Sequence, residues 1–115
     1  METLQASAKY PAIAPGDLSE FKQLAAELLE VARGELGTLQ YDWFFSDDGT
    51  QCVVRETYAS SDAVLVHIGN VGPSLGRLIE LGGGLELEVF GEPSATLRDA
   101  TAAFDPVVYS YLQGK

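Results

Sequence analysis

Few side chains in this sequence are equipped for chemistry. His67 is the only histidine, and imidazole is the side chain whose ordinary pKa lies closest to neutral. Beside an apolar space it could take a proton from an acidic hydroxyl such as a phenol. Asn70 follows three residues later on the same shoulder of a helix, where its amide could donate to a developing oxyanion. Glu56 falls beside Tyr41, Tyr58 and Trp43 in a β-rich stretch. A carboxyl in such a setting must be hydrogen-bonded or hold its proton more tightly than usual, and it could serve as a base or orient a ligand hydroxyl. Tyr58, Trp43 and Tyr41 could wall a planar substrate. Each has a plainer alternative: a histidine bonded to its neighbours, a carboxyl tied to a tyrosine hydroxyl, aromatic rings that are core. The candidate catalytic residues are therefore His67, Glu56 and Asn70, and the candidate substrate-binding residues Tyr58, Trp43 and Tyr41.

Other residue types point away from chemistry. Cys52 sits in an apolar run with no basic neighbour, which disfavours a thiolate and makes it structural. Gly82-Gly83-Gly84 lacks the lysine and the strand–loop–helix setting of a phosphate loop and reads as a turn. One histidine and one cysteine give no metal-ligand cluster, so no metal and no cofactor is expected.

The elements that must carry these groups follow from periodicity. Leu4 to Tyr10 alternates apolar and polar residues and is predicted as a half-buried strand, stopped by Pro11 and Pro15-Gly16. Asp17, three residues before Glu20, resembles a capping box for a helix whose stripe is Leu18, Phe21, Ala25, Leu28 and Ala32. Gly34 and Gly37 end it. Thr38–Phe45 and Gln51–Tyr58 flank Asp48-Gly49, a hairpin signal. With those two residues as the turn, Leu39 faces Tyr58, Tyr41 faces Glu56, Trp43 faces Val54 and Phe45 faces Cys52. The opposite face pairs Gln40 with Thr57, Asp42 with Arg55 and Phe44 with Val53, and Asp42 against Arg55 is a favourable charge pair.

Ser60-Ser61-Asp62 caps a second helix with the stripe Val64, Ile68, Val71 and Leu75. Gly69, Gly72 and Pro73 are expected to weaken or break it, with a short helix resuming over Arg77–Leu81. Leu85–Phe90 alternates as a strand, Ser94 caps a last short helix over Ala95–Phe104, and Val107–Tyr111 is an aromatic tail. The order β-α-β-β-α-β is the ferredoxin-like split βαβ arrangement of an α+β domain, a four-stranded antiparallel sheet with both long helices on one face. The other face, with Phe44, Val53 and Phe90, is left for a second copy to cover, so a homodimer is expected.

Composition bounds the partners. The chain has 115 residues, 46% hydrophobic and 21% charged, with seven basic against seventeen acidic side chains and a net charge of −10. That length fits one domain over residues 1–115, with a core at about residues 4–91 and an extension from 92 to 115. The acidic balance excludes a phosphate-backbone binder and docking on anionic membranes, so neither nucleic acid nor membrane is expected as partner. With no apolar run long enough to span a bilayer and no leader pattern at Met1–Gln5, the chain reads as cytoplasmic.

A set of residues in order resembles the antibiotic biosynthesis monooxygenase family: Phe21 with Leu28, Gly37-x-Leu39-x-Tyr41, Asp48-Gly49, Glu56-x-Tyr58-x-Ser60, then Ala63 and His67. The resemblance spans roughly residues 4 to 91. It implies a dimeric α/β barrel, a homodimer in which two sheets pack together, and a small aromatic or phenolic ligand. The implied activity is a cofactor-independent monooxygenase, with His67 as base, Asn70 and Tyr58 as donors and Trp43 as stacking wall. Two departures stand out. Where a second histidine often follows the first, this chain reads Val71-Gly72-Pro73, and Ser94–Lys115 extends beyond the common domain. The alternative from another class is a non-catalytic ligand-binding or regulatory dimer that keeps the scaffold without the chemistry.

Overall fold

The computed structural model describes residues 3–115. Met1 and Glu2, part of the stretch read as lacking a leader, lie outside the described residues. In chain order the elements are β1 (Leu4–Tyr10), α1 (Leu18–Arg33), β2 (Thr38–Phe45), β3 (Cys52–Tyr58), α2 (Ser61–Leu81), β4 (Glu86–Phe90), α3 (Ala95–Thr101) and β5 (Val107–Tyr109). The strands form one sheet in the order β2-β3-β1-β4-β5. The first four are antiparallel, as the ferredoxin-like reading requires. The fifth pairs parallel to β4, so the sheet is five-stranded and mixed, and it is not closed. The expected aromatic tail supplies this strand: Val107 and Val108 suit a pleated edge and satisfy the outer backbone groups of β4.

Period-two burial puts Leu4, Ala8, Tyr10, Cys52, Val54, Tyr58 and Val89 under the helices. From above, Phe21, Ala25, Leu28 and Ala32 of α1 and His67, Val71, Leu78 and Leu81 of α2 close the core. α1 starts differently from expectation. A 3₁₀ turn over Pro15–Asp17 precedes it, and Asp17 has φ −100 and ψ −8 and makes no side-chain cap. A capping residue needs an extended backbone to aim its oxygen at the following amides. Glu20 is instead held by Arg77 of α2, at 2.9 Å to both Nε and Nη2.

The hairpin keeps its expected register from Gln40↔Thr57 to Phe45↔Cys52 but slips beyond it, where Thr38 rather than Leu39 faces Tyr58. Leu39 bulges out and is left exposed. Asp42 does face Arg55, and its carboxylate accepts a hydrogen bond from Gln40 Nε2.

The expected break in α2 does not occur: one helix runs from Ser61 to Leu81 with Pro73 inside, capped by Ser60 Oγ on Ala63 N. A proline ring clashes with the turn before it and removes one backbone bond. Burial of Leu78 and Leu81 on the far side anchors the helix through the lost bond. β4 begins at Glu86, and the last helix divides into α3 and a 3₁₀ turn over Ala102–Phe104.

Candidate active site

Between the sheet and α2 lies a cavity of about 230 Å³. Its floor is Ala6, Ala8, Tyr41, Glu56, Tyr58, Leu87 and Val89, its roof Val64, His67, Ile68 and Val71, and its outer wall Leu97, Phe104 and Val108. A dry apolar cavity of about 150 Å³ takes a benzene ring, so this one accepts a larger apolar body. Of its polar side chains, Tyr41, Glu56, Tyr58 and His67 lie together at the β2–β3 end.

His67 comes from the second turn of α2 and is 5% exposed. The Tyr41 ring meets it edge-on, with centroids 4.8 Å apart, and the Tyr58 ring lies at 5.5 Å. Its Nδ1 is 2.7 Å from Glu35 Oε1. Glu35 was not singled out in the sequence. It sits in the turn after α1 and also accepts from Asn70 Nδ2 at 2.9 Å and Thr38 Oγ1 at 2.8 Å. Burial alone would raise the Glu35 carboxyl, but the hydrogen bonds from Asn70, Thr38 and His67 outweigh it and hold its pKa below the ordinary value. An ionised carboxylate only accepts, so Nδ1 carries the proton and donates, and Nε2 is the imidazole nitrogen left for the cavity.

Local geometry explains how Glu35 reaches α2. Gly37 lies so close to Ala63 that a Cβ there would come within 2.5 Å of the Ala63 Cβ, and Gly37 O accepts from Ala59 N at 2.9 Å. The glycine and the adjacent bulge press the turn against the start of the helix. Bulges of this kind re-aim side chains beside functional sites. The sequence signal was a carboxylate bracketed by Gly34 and Gly37, glycines that read only as a helix stop.

Glu56 and Tyr58, two apart on β3, share the cavity face. The Tyr58 hydroxyl donates to Glu56 Oε1. Burial raises the Glu56 pKa, against the opposing pull of the Tyr58 hydroxyl and His67. Burial likewise raises the Tyr58, Tyr41 and Tyr10 hydroxyls, with the Glu56 charge adding to it. The site thus holds one carboxyl that favours its charge and one that favours its proton. Environments that push two titratable groups apart are how a site assigns a base and an acid.

His67, Glu56, Tyr58 and Tyr41 all line this one cavity. Asn70 is exposed and spends its amide on Glu35, which places it behind His67 instead of at the cavity. Trp43 also stands apart. It faces the helices, stacked on Tyr10 at 6.4 Å and edge-on to Tyr41 at 5.4 Å, and lines a shallow groove with Leu29 and Ala32. Its Nε1 is buried without a hydrogen-bond partner. Cys52 is fully buried, and burial pushes its thiol up to about 12. Among the described residues no group of three or more His, Cys, Asp or Glu side chains is placed to hold a metal ion. Nor is any helix among them long and apolar enough to cross a membrane.

Comparison with known proteins decides the family. The family described as antibiotic biosynthesis monooxygenase matches residues 6–70, more than half of the chain and all of the His67 site. The chain belongs to that family. Among solved structures, MupZ from Pseudomonas fluorescens is similar over 100% of this chain and 94% of its own, with 26% identity and a TM-score of 0.84. A conserved protein from Methanosarcina mazei covers 77% of this chain and 91% of its own at 20% identity and a TM-score of 0.70. SnoaB, a cofactor-independent oxygenase from Streptomyces nogalater, covers 83% of this chain and 97% of its own at 14% identity and a TM-score of 0.67. The last two show the fold alone. No curated protein matches.

Proposed function

We propose that this member of the antibiotic biosynthesis monooxygenase family is a cofactor-independent monooxygenase. Its substrate is a small aromatic compound with an acidic phenol or an activated methylene, and it works as a homodimer. The observation that carries the reading is the Glu35–His67 pair at the end of an apolar cavity. Glu35 fixes the tautomer and His67 Nε2 takes the substrate proton, while Glu56 and Tyr58, on the same cavity face, orient the substrate hydroxyl. Once ionised, the substrate is the reductant. A methylene becomes a carbonyl, with one atom of dioxygen entering the substrate and the other leaving with two hydrogens as water. The aliphatic walls keep water from the ionised intermediate.

Fold and family support the reaction type, and the aromatic cluster of Tyr41 and Tyr58 supports the substrate class. The sheet face opposite the helices supports the dimer: Phe44 is 56% exposed there and Phe90 38%. Oxygen uptake with anthrone- and quinol-like compounds, without added metal or flavin, tests the proposal. Uptake with formation of the corresponding quinone is the expected result. Ligand binding without uptake across the panel would favour the non-catalytic dimer.

A further inference from the structure

The C-terminal segment lies beyond residues 6–70, which carry the family match, yet it builds the outer wall of the cavity. α3 is tied to the start of α2 by Ser94 N on Ser61 Oγ at 2.9 Å. β5 holds the other end by pairing with β4. The wall so formed is apolar except for Thr101, whose hydroxyl is spent on Leu97 O at 3.0 Å, and Arg98.

Arg98 is the one lysine or arginine among the described residues that lines the cavity. Its guanidinium makes one hydrogen bond, Nε to Pro93 O at 3.3 Å. Among the described residues the ion pairs join Arg33 to Glu30, His67 to Glu35, and Arg77 to Glu20 and Glu80, and none engages Arg98. In a chain of net charge −10, Arg98 is the cation that stands at the edge of this apolar cavity, and its guanidinium carries no carboxylate among the described residues. The sheet sets the width of the cavity. His67 sits over β2 and β3, while the C-terminal wall rises beyond β4. Three strand spacings separate β3 from β5, roughly 14 Å.

The geometry points to a second recognition group at the far end of the cavity: Arg98 receives the carboxylate of an elongated substrate whose apolar body lies along Val71, Leu87 and Val89 and whose reacting end meets His67. This rests on the reading of His67 as the reacting end and adds the substrate class, an apolar-bodied monocarboxylate. A guanidinium presents a planar fork that matches a carboxylate with two parallel hydrogen bonds.

Calorimetry with octanoate and 1-octanol, which share an apolar chain and differ at one end, tests the assignment without reference to turnover. The wild-type protein binds octanoate about tenfold more tightly than octanol, the gain of a charge-assisted pair. Arg98→Gln brings octanoate down to the octanol level and leaves octanol unchanged, and Arg98→Lys restores part of the difference. Arg98 is exposed, so the substitution does not threaten folding, which a matched melting temperature verifies. Val108→Trp, which fills the wall, abolishes binding of both. Equal affinities in the wild type, a preference that survives Arg98→Gln, binding that survives Val108→Trp, or no binding of either compound would each overturn the assignment. A failure here leaves oxygen uptake and its dependence on His67 untouched, and loss of that dependence leaves the octanoate preference standing.

Discussion

Two carboxyls within reach of one imidazole do opposite things because their surroundings differ. Glu35 has three donors and keeps its charge; Glu56 has one and tends to keep its proton. In the proposed mechanism Glu35 positions His67. Glu35→Gln should lower kcat about 10–100-fold, as loss of an outer hydrogen-bond partner does elsewhere, while KM stays near its original value. A KM effect alone would place Glu35 in substrate binding. The carboxyls also give opposite pH signatures in stability. The raised pKa of Glu56 means it contributes stability below its ordinary value of 4.5 and loses it as pH rises through the folded value. The lowered pKa of Glu35 means it contributes above 4.5 and loses that contribution as pH falls through the folded value. Thermal melts from pH 4.5 to about 8 should therefore show wild type losing ground to Glu56→Gln as pH rises. Parallel curves would show that Glu56 does not hold its proton in the fold.

At the scale of elements, the parts legible in the sequence are those set by local periodicity and turn chemistry. β1, the α1 stripe and most of the hairpin register fall in this class, and that register correctly turns Tyr41, Glu56 and Tyr58 inward. Contacts made between elements escaped it. Glu35 is three residues from Thr38 but thirty-two from His67, and nothing in the turn after α1 announces which helix it will touch. The same holds for Asn70, whose place beside His67 follows from helical spacing and whose partner, Glu35, does not. Gly37→Ala tests the geometry behind this pairing. The added methyl collides with Ala63, so stability should fall by about 1–3 kcal/mol, the usual cost of overpacking, and turnover should fall with it. Pro73→Ala should do the reverse for stability, raising it by up to about 3 kcal/mol as the missing helix bond returns. A melting temperature unchanged by Pro73→Ala would mean that the flanking buried leucines already offset the whole cost.

At the scale of the whole molecule, one face of the sheet carries the helices and the cavity, and the other carries Phe44, Phe90 and Tyr109, the latter two stacked at 5.3 Å. Pairing two copies through that face would bury the rings and turn two open sheets into a barrel. Phe44→Glu places a carboxylate in the joint, and light scattering should then move from dimer mass to monomer mass at micromolar concentration. A wild-type monomer would remove the dimer from the account. The central claim is that His67, fixed by Glu35 at the end of an apolar cavity, is the base of an oxygen-consuming reaction. Its most direct test is the rate of oxygen uptake by wild type and His67→Ala on the same anthrone-like substrate, at equal melting temperature and equal assembly state. The account predicts a loss of about 10²–10⁴-fold, the contribution of a positioned general base. Undiminished uptake by His67→Ala would contradict it.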